Sequence, residues 1–399
     1  MKKTLLTICL TWMCFSLSAQ KIIDLSGKWS FSIDRQDNGE KEKWFSHTLN
    51  DCINLPGSMP EKLKGDEVTA KTQWTGSLYD SSYYYNPYME KYRKEGNIKF
   101  PFFLTPDKHY VGAAWYQKEV NIPADWKGER ILLFLERPHI ETTVWVNGQK
   151  TGMQNSLCVP HQYDITRYVR PGKCTITIRV DNRIKEINVG PDSHSITDQT
   201  QGNWNGIVGR ICLQTTPKTY FDDIQIYPEP EQKLARVKVV IKGAGITKIK
   251  LSAESFNTDK KHIVPAIQQE IKLNKGVTET EMVLPMGNDM LLWDEFHPAL
   301  YKLKAEVTNG KKTEIKEIQF GMRRFEIKGK WFYVNGRKTQ LRGTVENCDF
   351  PLTGYAPMDV ESWERVFRIC RSYGLNHMRF HSFCPVSYTH LRAHETAAN

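Results

Sequence analysis

Between residues 24 and 217 the apolar positions alternate with polar ones or run together over strand lengths, and no helical period survives three turns. "AAWYQKEVNI", "RILLFLE", "ETTVWVNGQ" and "CTITIRVDN" read as strands separated by Gly, Pro, Asn and Asp, and "VNGQKTG" is a turn signal between two of them. The pattern predicts a β-sandwich of jelly-roll size. A second β region runs from 218 to 325, opening at "YFDDIQIYPEPEQKLARVKVVIKGAG", and its short strands suit an immunoglobulin-like sandwich. The proline-rich, acidic "YPEPEQ" is expected to mark a boundary.

At "WFYVNGRKTQLRGTVENCDF" the pattern changes again. A hairpin leads into a short strand, "QLRGTV". In "MDVESWERVFRICRSYG", Val360, Trp363, Val366, Phe367, Ile369 and Cys370 recur at helical spacing, with Gly374 where a C-cap belongs. "LNHMRFHS" then reads as a strand. Strand, helix, strand is the unit that opens a parallel (β/α)8 barrel. The fold class expected is mostly β: a jelly-roll sandwich over 24–217, an immunoglobulin-like β-sandwich over 218–325, and the first βαβ of an incomplete barrel over 326–385.

Composition changes this picture little. A formal charge of +10 is scattered, with no Lys/Arg block, which is the pattern of a basic soluble surface and not of a nucleic-acid binder. The start is more informative. "MKKTLLTICLTWMCFSLSAQ" has two lysines, an apolar run and then small residues, so residues 1–19 read as a secretory signal cleaved near Ala19. No later stretch is long and apolar enough to cross a bilayer, and a secreted or periplasmic protein is expected. Seven cysteines follow the signal without CxxC spacing, so no zinc site or disulfide framework is indicated, although one pair in the first domain is not excluded. No cofactor is called for.

Order and wording together resemble glycoside hydrolase family 2, which contains β-galactosidases, β-glucuronidases and β-mannosidases. The resemblance is carried by "LSGKWSFSID", "INLPGS", "GAAWYQKEVNIP", "VWVNGQKTG", "YDITRYVRPGKCTITIRVDN", "GNWNGIVGRICL", "WDEFHPALYKLKAEV" and "FGMRRFEIKGKWFYVNGRKTQLRGT". It implies a sugar-binding jelly roll, an immunoglobulin-like domain and a barrel, and a retaining exo-glycosidase acting on O-glycosidic bonds. Such an enzyme uses two carboxylates about 5–5.5 Å apart. The resemblance puts them beyond the fourth and seventh barrel strands, whereas 326–385 supplies two strands of a barrel that takes roughly 250 residues. The chain as written is therefore expected to lack the catalytic pair and to be inactive.

Substrate-contacting candidates are Glu346, just past the first barrel strand with Asp349 close by, and Arg379 and His381 at the end of the second. Even spacing puts His377 and His381 on one side of their strand. Trp115, Trp145 and Trp204 are expected in cores or between domains. The tyrosine-rich insertion from Leu78 to Tyr92 reads either as a loop shielding the active site or as a solvated loop.

After Pro385 the resemblance stops. Val386 to Thr396 read as a translated sequencing adapter, and 386–399 as a disordered tail. A different class of function, a non-catalytic carbohydrate-binding β-sandwich protein, is the alternative; in both cases the partner is a carbohydrate, with no nucleic acid and no membrane span.

Overall fold

A computed structural model describes residues 20–381, apart from 77–79, 102, 158, 186–192, 195, 200–201, 348–349 and 351–352. Residues 1–19, read above as a signal, Asp349, Cys384 and residues 386–399 lie outside the described residues.

The first domain is two antiparallel sheets face to face. One runs in the order Ile22–Asp24, Gly206–Thr216, Arg130–Pro138, His161–Asp164. The other runs Gln149–Asn155, Glu141–Val146, Gly172–Asp181, Ala113–Ile122, Gly27–Asp34, Asp51–Leu55. Alternate residues of both sheets meet in one core that includes Trp29, Phe31, Tyr116, Leu133, Leu135, Ile176, Ile178, Ile211 and Leu213. "RILLFLE" runs apolar without alternation because its other face is covered too: the Arg210 guanidinium lies 4.6 Å from the Phe134 ring centre. The "VNG" turn takes its two-residue hairpin form, with Asn147 and Gly148 both at positive φ.

Trp115 and Trp145 sit on the outer face of the larger sheet, buried beneath residues 35–50 with Leu49, Trp44 and Phe45. Trp115 Nε1 donates to Asp34 Oδ2 at 2.9 Å. Gly39 leaves room for that indole, since a Cβ there would stand 2.5 Å from Nε1. Beside this cluster Arg179, almost fully buried, pairs with Asp37 at 2.6 Å, Asp181 at 3.0 Å and Glu141 at 3.4 Å. Asp181 also takes Arg183 and Lys185. Burial alone would raise the Asp181 carboxyl, but the hydrogen bonds from Arg183 and Lys185 and the charge of Arg179 outweigh it and hold it well below the usual range.

The second domain is built on two 23-residue strands, Leu234–Phe256 and Ile263–Pro285. The first half of Leu234–Phe256 pairs with Tyr220–Glu229, and its second half with Leu300–Asn309. A register shift between Gly243 and Gly245 separates the halves, and Val237, Val239 and Ile241 join Ile249, Leu251 and Ala253 in one core. Gly243 is needed at the bend, because a Cβ would fall 2.6 Å from Thr219 Oγ1. "YPEPEQ" is not a boundary. It is the hairpin turn inside this domain, with Pro230–Gln232 as one 3-10 turn and Lys233 in the left-handed region. The two domains touch where Arg130 stacks 4.3 Å from the Tyr220 ring centre and Lys312 pairs with Glu129 at 2.6 Å.

After a small sheet that includes the second Asn-Gly hairpin (Trp331–Val334 with Arg337–Thr339), the chain forms strand Gly343–Glu346, helix Val360–Ser372 and strand His377–Phe380. The two strands pair in parallel. Asp359 caps the helix by accepting from Ser362 N at 2.7 Å, and Gly374 ends it at φ 75°. Trp363 and Phe367 bury its inner face against Met378. Cys52, Cys174, Cys212 and Cys370 are free thiols. Among the described residues no helix is long and apolar enough to cross a membrane.

Two buried imidazoles of the jelly roll predict acid sensitivity. His161 is fully buried, with Nδ1 2.6 Å from Thr142 Oγ1, and burial pushes its pKa down to about 4. His139, stacked on Trp204, is pushed down to about 3, chiefly by burial. Above pH 6.5 both are neutral whether the chain is folded or not. Below it the unfolded chain binds protons that the folded one refuses, so stability falls with pH until the folded values are reached. Each histidine contributes a slope of about 1.4 kcal/mol per pH unit in that window. Urea unfolding at pH 7, 6 and 5 should show this fall, and His161→Gln should flatten it by about half; a stability flat from pH 7 to 5 contradicts the assignment.

Candidate functional site

The C-terminal ends of the two parallel strands converge on loops of the jelly roll. The segments responsible are "LPGS" and "GNWNG". Gly57–Ser58 pairs with Gly206–Ile207, and Met59 N donates to Asn205 O at 2.8 Å. Only glycine fits at 206, where a Cβ would lie 2.4 Å from Gly57 O. Asn205 is itself fixed: its Nδ2 donates to Gly112 O at 2.9 Å and Val180 O at 3.0 Å, and its Oδ1 accepts from Tyr116 OH at 2.7 Å.

On this platform sits the loop that leaves strand Gly343–Glu346. Ser58 Oγ donates to Thr353 O at 2.6 Å, and Tyr355 OH donates to Glu61 Oε2 at 2.6 Å. Trp204 lies between the domains, with its ring 4.5 Å from His139 and 5.5 Å from Tyr355. Burial pushes the Tyr355 phenol up, and its bond to Glu61 and that group's charge push it further. For Glu61 burial acts upward, but the hydrogen bonds from Lys62 and Tyr355 outweigh it and leave the carboxyl lowered. The contact is therefore a neutral phenol donating to an ionised carboxylate, a charge-assisted bond.

The three expected site residues cluster at these strand ends but do not share one face. His381 N donates to Glu346 O at 2.8 Å, and His381 Nδ1 stands 3.1 Å from Asn347 Oδ1. The His381 ring meets the His194 ring of the jelly roll at 5.0 Å. In the register Glu346 is level with Phe380, which packs on Trp363, and the Glu346 charge adds to burial in raising the thiol of Cys370 on the helix. Its side chain is thus on the helix-packed side. Arg379 is level with Val345 on the opposite, exposed face. Alternation puts His377 and His381 on Arg379's side. His377 lines a cavity of about 540 Å³ with Trp293, Arg323, Leu341 and Asn376, at the other, N-terminal ends of the strands. Among the described residues no group of three or more His, Cys, Asp or Glu could hold a metal ion.

Two family models match the chain. Residues 22–217 match "Glycosyl hydrolases family 2, sugar binding domain", and 219–323 match "Glycosyl hydrolases family 2". The chain belongs to glycosyl hydrolase family 2. It is 25% identical over 301 residues to a β-galactosidase of Thermoanaerobacter pseudethanolicus, covering 71% of this chain and 38% of that protein. It is 23% identical over 394 residues to human β-glucuronidase, covering 89% and 53%. Among solved structures, the β-glucuronidase of Ruminococcus gnavus superposes with a TM-score of 0.68 at 18% identity, over 96% of this chain and 58% of that one. The chain spans about half the length of the curated relatives it matches, or less.

Sequence reasoning found the strand ends and expected Trp204 in a core or between domains, but did not single out Ser58, Glu61 or Tyr355. Ser58, Trp204 and their neighbours lie in motifs quoted for the family resemblance. Nothing local marked Glu61 or Tyr355 as partners, which lie 294 residues apart.

If the Glu61–Tyr355 bond seats the strand-end loop, Tyr355→Phe should weaken the docking of residues 340–381 by about 1–2 kcal/mol. Amide hydrogen exchange should show faster exchange in 353–372 with the jelly-roll core unchanged. Unaltered exchange in that segment would mean the bond does not hold the loop.

Proposed function

We propose that the intact protein is an exported, retaining β-glycosidase that removes a terminal sugar, and that this chain supplies the sugar-binding wall of its pocket. The observation that carries this reading is the convergence of two parallel strands' C-terminal ends on the jelly-roll loops at His194, Trp204, Ser58 and Glu61. In (β/α)8 barrels the reacting groups stand at that end of the strands.

Each residue then has a defined part. Arg379 and His381 lie on the face that a closed barrel would turn inward, and they are proposed to donate hydrogen bonds to sugar hydroxyls. Glu346 holds His381 through its backbone carbonyl, with its carboxylate on the helix side. The nucleophile and the acid/base are assigned to barrel strands other than these two. A retaining displacement needs both carboxylates flanking one bond, and general acid–base help alone is worth about 10²–10⁴-fold. This chain, with two barrel strands among its described residues, is accordingly proposed to be inactive. The β-galactosidase and β-glucuronidase relatives support a β-linked hexose or hexuronate as the terminal sugar without choosing between them. Export rests on the signal-like residues 1–19.

The purified 399-residue chain should turn over no nitrophenyl β-galactoside, β-glucuronide or β-mannoside, whereas the intact gene product should hydrolyse one of them with retention at the anomeric carbon. Inversion, or turnover by the chain alone that survives repurification, would overturn the reading. In the intact enzyme Arg379→Ala should lower kcat/KM by about 10²-fold or more, in line with loss of a charged contact.

A further inference from the structure

The insertion between residues 68 and 107 is used by none of the contacts described so far, yet it is tied to the loop that touches His381. Asp198, buried, is the tie. It accepts from Thr75 N at 2.7 Å and Asn203 N at 2.7 Å, and its Oδ2 lies 3.4 Å from His109 Nε2. Its backbone closes the joint, with Asp198 N donating to Thr75 O and Leu104 N donating to Asp198 O. Above this joint the insertion has its own aromatic core: Trp74 packs on Phe100, Phe103 and His109, and Tyr83 stacks on Phe100 at 4.9 Å. The insertion is thus a packed unit and not a loose loop.

What this unit presents outward is unusual for a protein surface. Tyr83 is buried, but its neighbours Tyr84, Tyr85 and Tyr88 are 47%, 72% and 85% exposed. The same unit carries an open groove of about 550 Å³, lined by Glu67, Glu95, Asp107, Arg93, Asn97 and Lys99 among others. Arg93 joins the two features. It lines the groove and also holds the backbone carbonyls of Tyr83 and Asn86. Exposed tyrosine rings offer flat apolar faces of the kind that cover the C–H face of a pyranose, while carboxylates and an amide offer acceptors and donors for its hydroxyls.

We propose that Tyr84, Tyr85, Tyr88 and the groove linked to them through Arg93 bind the neutral sugar units of the glycan from which the enzyme takes its terminal residue. Neutral units are favoured because Glu67 is already paired with Lys108, which leaves Glu95 and Asp107 against Arg93 and Lys99, so the groove offers no net positive charge to hold a uronate. The continuity through Asp198 and His194 to His381 connects this platform with the proposed pocket. The proposal rests on the glycosidase reading for the identity of its ligand, but its test does not require catalysis.

Affinity electrophoresis of the 399-residue chain in gels containing soluble galactomannan should show retardation that is weaker by at least tenfold in the triple variant Y84A/Y85A/Y88A. Circular dichroism of that variant should match the parent, since all three rings are exposed. Replacing the same tyrosines by Phe should keep most of the retardation, which mere loss of surface polarity would not explain. Equal retardation of parent and triple variant, or none in galactomannan, overturns the platform. Retardation only in polygalacturonate gels overturns the neutral-sugar assignment. In the intact enzyme the triple variant should raise KM for an oligosaccharide at least tenfold and leave the nitrophenyl monosaccharide unchanged. An intact enzyme that cleaves neither substrate refutes the glycosidase reading while leaving the gel result to stand.

Discussion

The close approach of Gly206 to the carbonyl of Gly57 is the constraint on which the site depends. These two backbones could not meet with a side chain at 206, where a Cβ would stand 2.4 Å from the oxygen. Their pairing fixes Ser58, Glu61, Trp204 and Asn205 on one edge of the jelly roll, and these are the residues, or neighbours of residues, on which the strand-end loop is seated. A substitution at Gly206 would therefore force the Gly57 backbone away and shift the edge on which the loop carrying Tyr355 is seated.

The same logic explains the polar residues buried around this edge. Asn205 meets two backbone carbonyls and a phenol, Asp198 meets two backbone N–H groups, and Asn182 accepts from Gly112 N while donating to Tyr110 O. Each supplies hydrogen bonds to irregular backbone that no sheet ladder can satisfy. Loops that must hold a defined shape near a binding surface need such side chains, because apolar packing alone does not fix backbone direction. The buried Arg179 with Asp37, Glu141 and Asp181 does the corresponding job for the edge from which Asp37 and Glu141 come; removing Arg179 would leave the buried Asp181 and Glu141 to Arg183 and Lys185 alone.

What the sequence made legible follows from the range of the forces involved. Both Asn-Gly hairpins, the helix between Asp359 and Gly374, and the alternation of each sandwich are set by residues within a few positions of one another, and they could be read directly. "YPEPEQ" misled because proline and acidic residues suit a tight 3-10 turn as well as a linker; only pairing of Glu229 with Leu234 across the turn distinguishes the two. Glu61 and Tyr355 were invisible because nothing near either one predicts a partner so distant. Glu346 was read as lying just past a strand, but it is the last residue of that strand, and a register shared with Phe380 turns its side chain toward the helix; parity along one strand could not say which side that was.

The parallel pair itself argues for what must surround the site. Parallel strands are ordinarily covered on both faces. Here Met378 and Phe380 have their cover in Trp363 and Phe367, while across the sheet Val345 is half exposed and Arg379 stands in the open. An apolar β-branched residue beside an arginine on the uncovered face is the composition of a surface built to be enclosed, with the charge kept for something polar inside the enclosure. On the covered face the helix already supplies apolar contacts and needs no ligand. The uncovered face, bordered at its C-terminal end by His381 and the jelly-roll loop of His194, is the one the proposed pocket would use. Under the proposed reading the jelly roll closes one side of that space, with an edge of glycines, asparagines and one tryptophan instead of the aliphatic residues that fill its core.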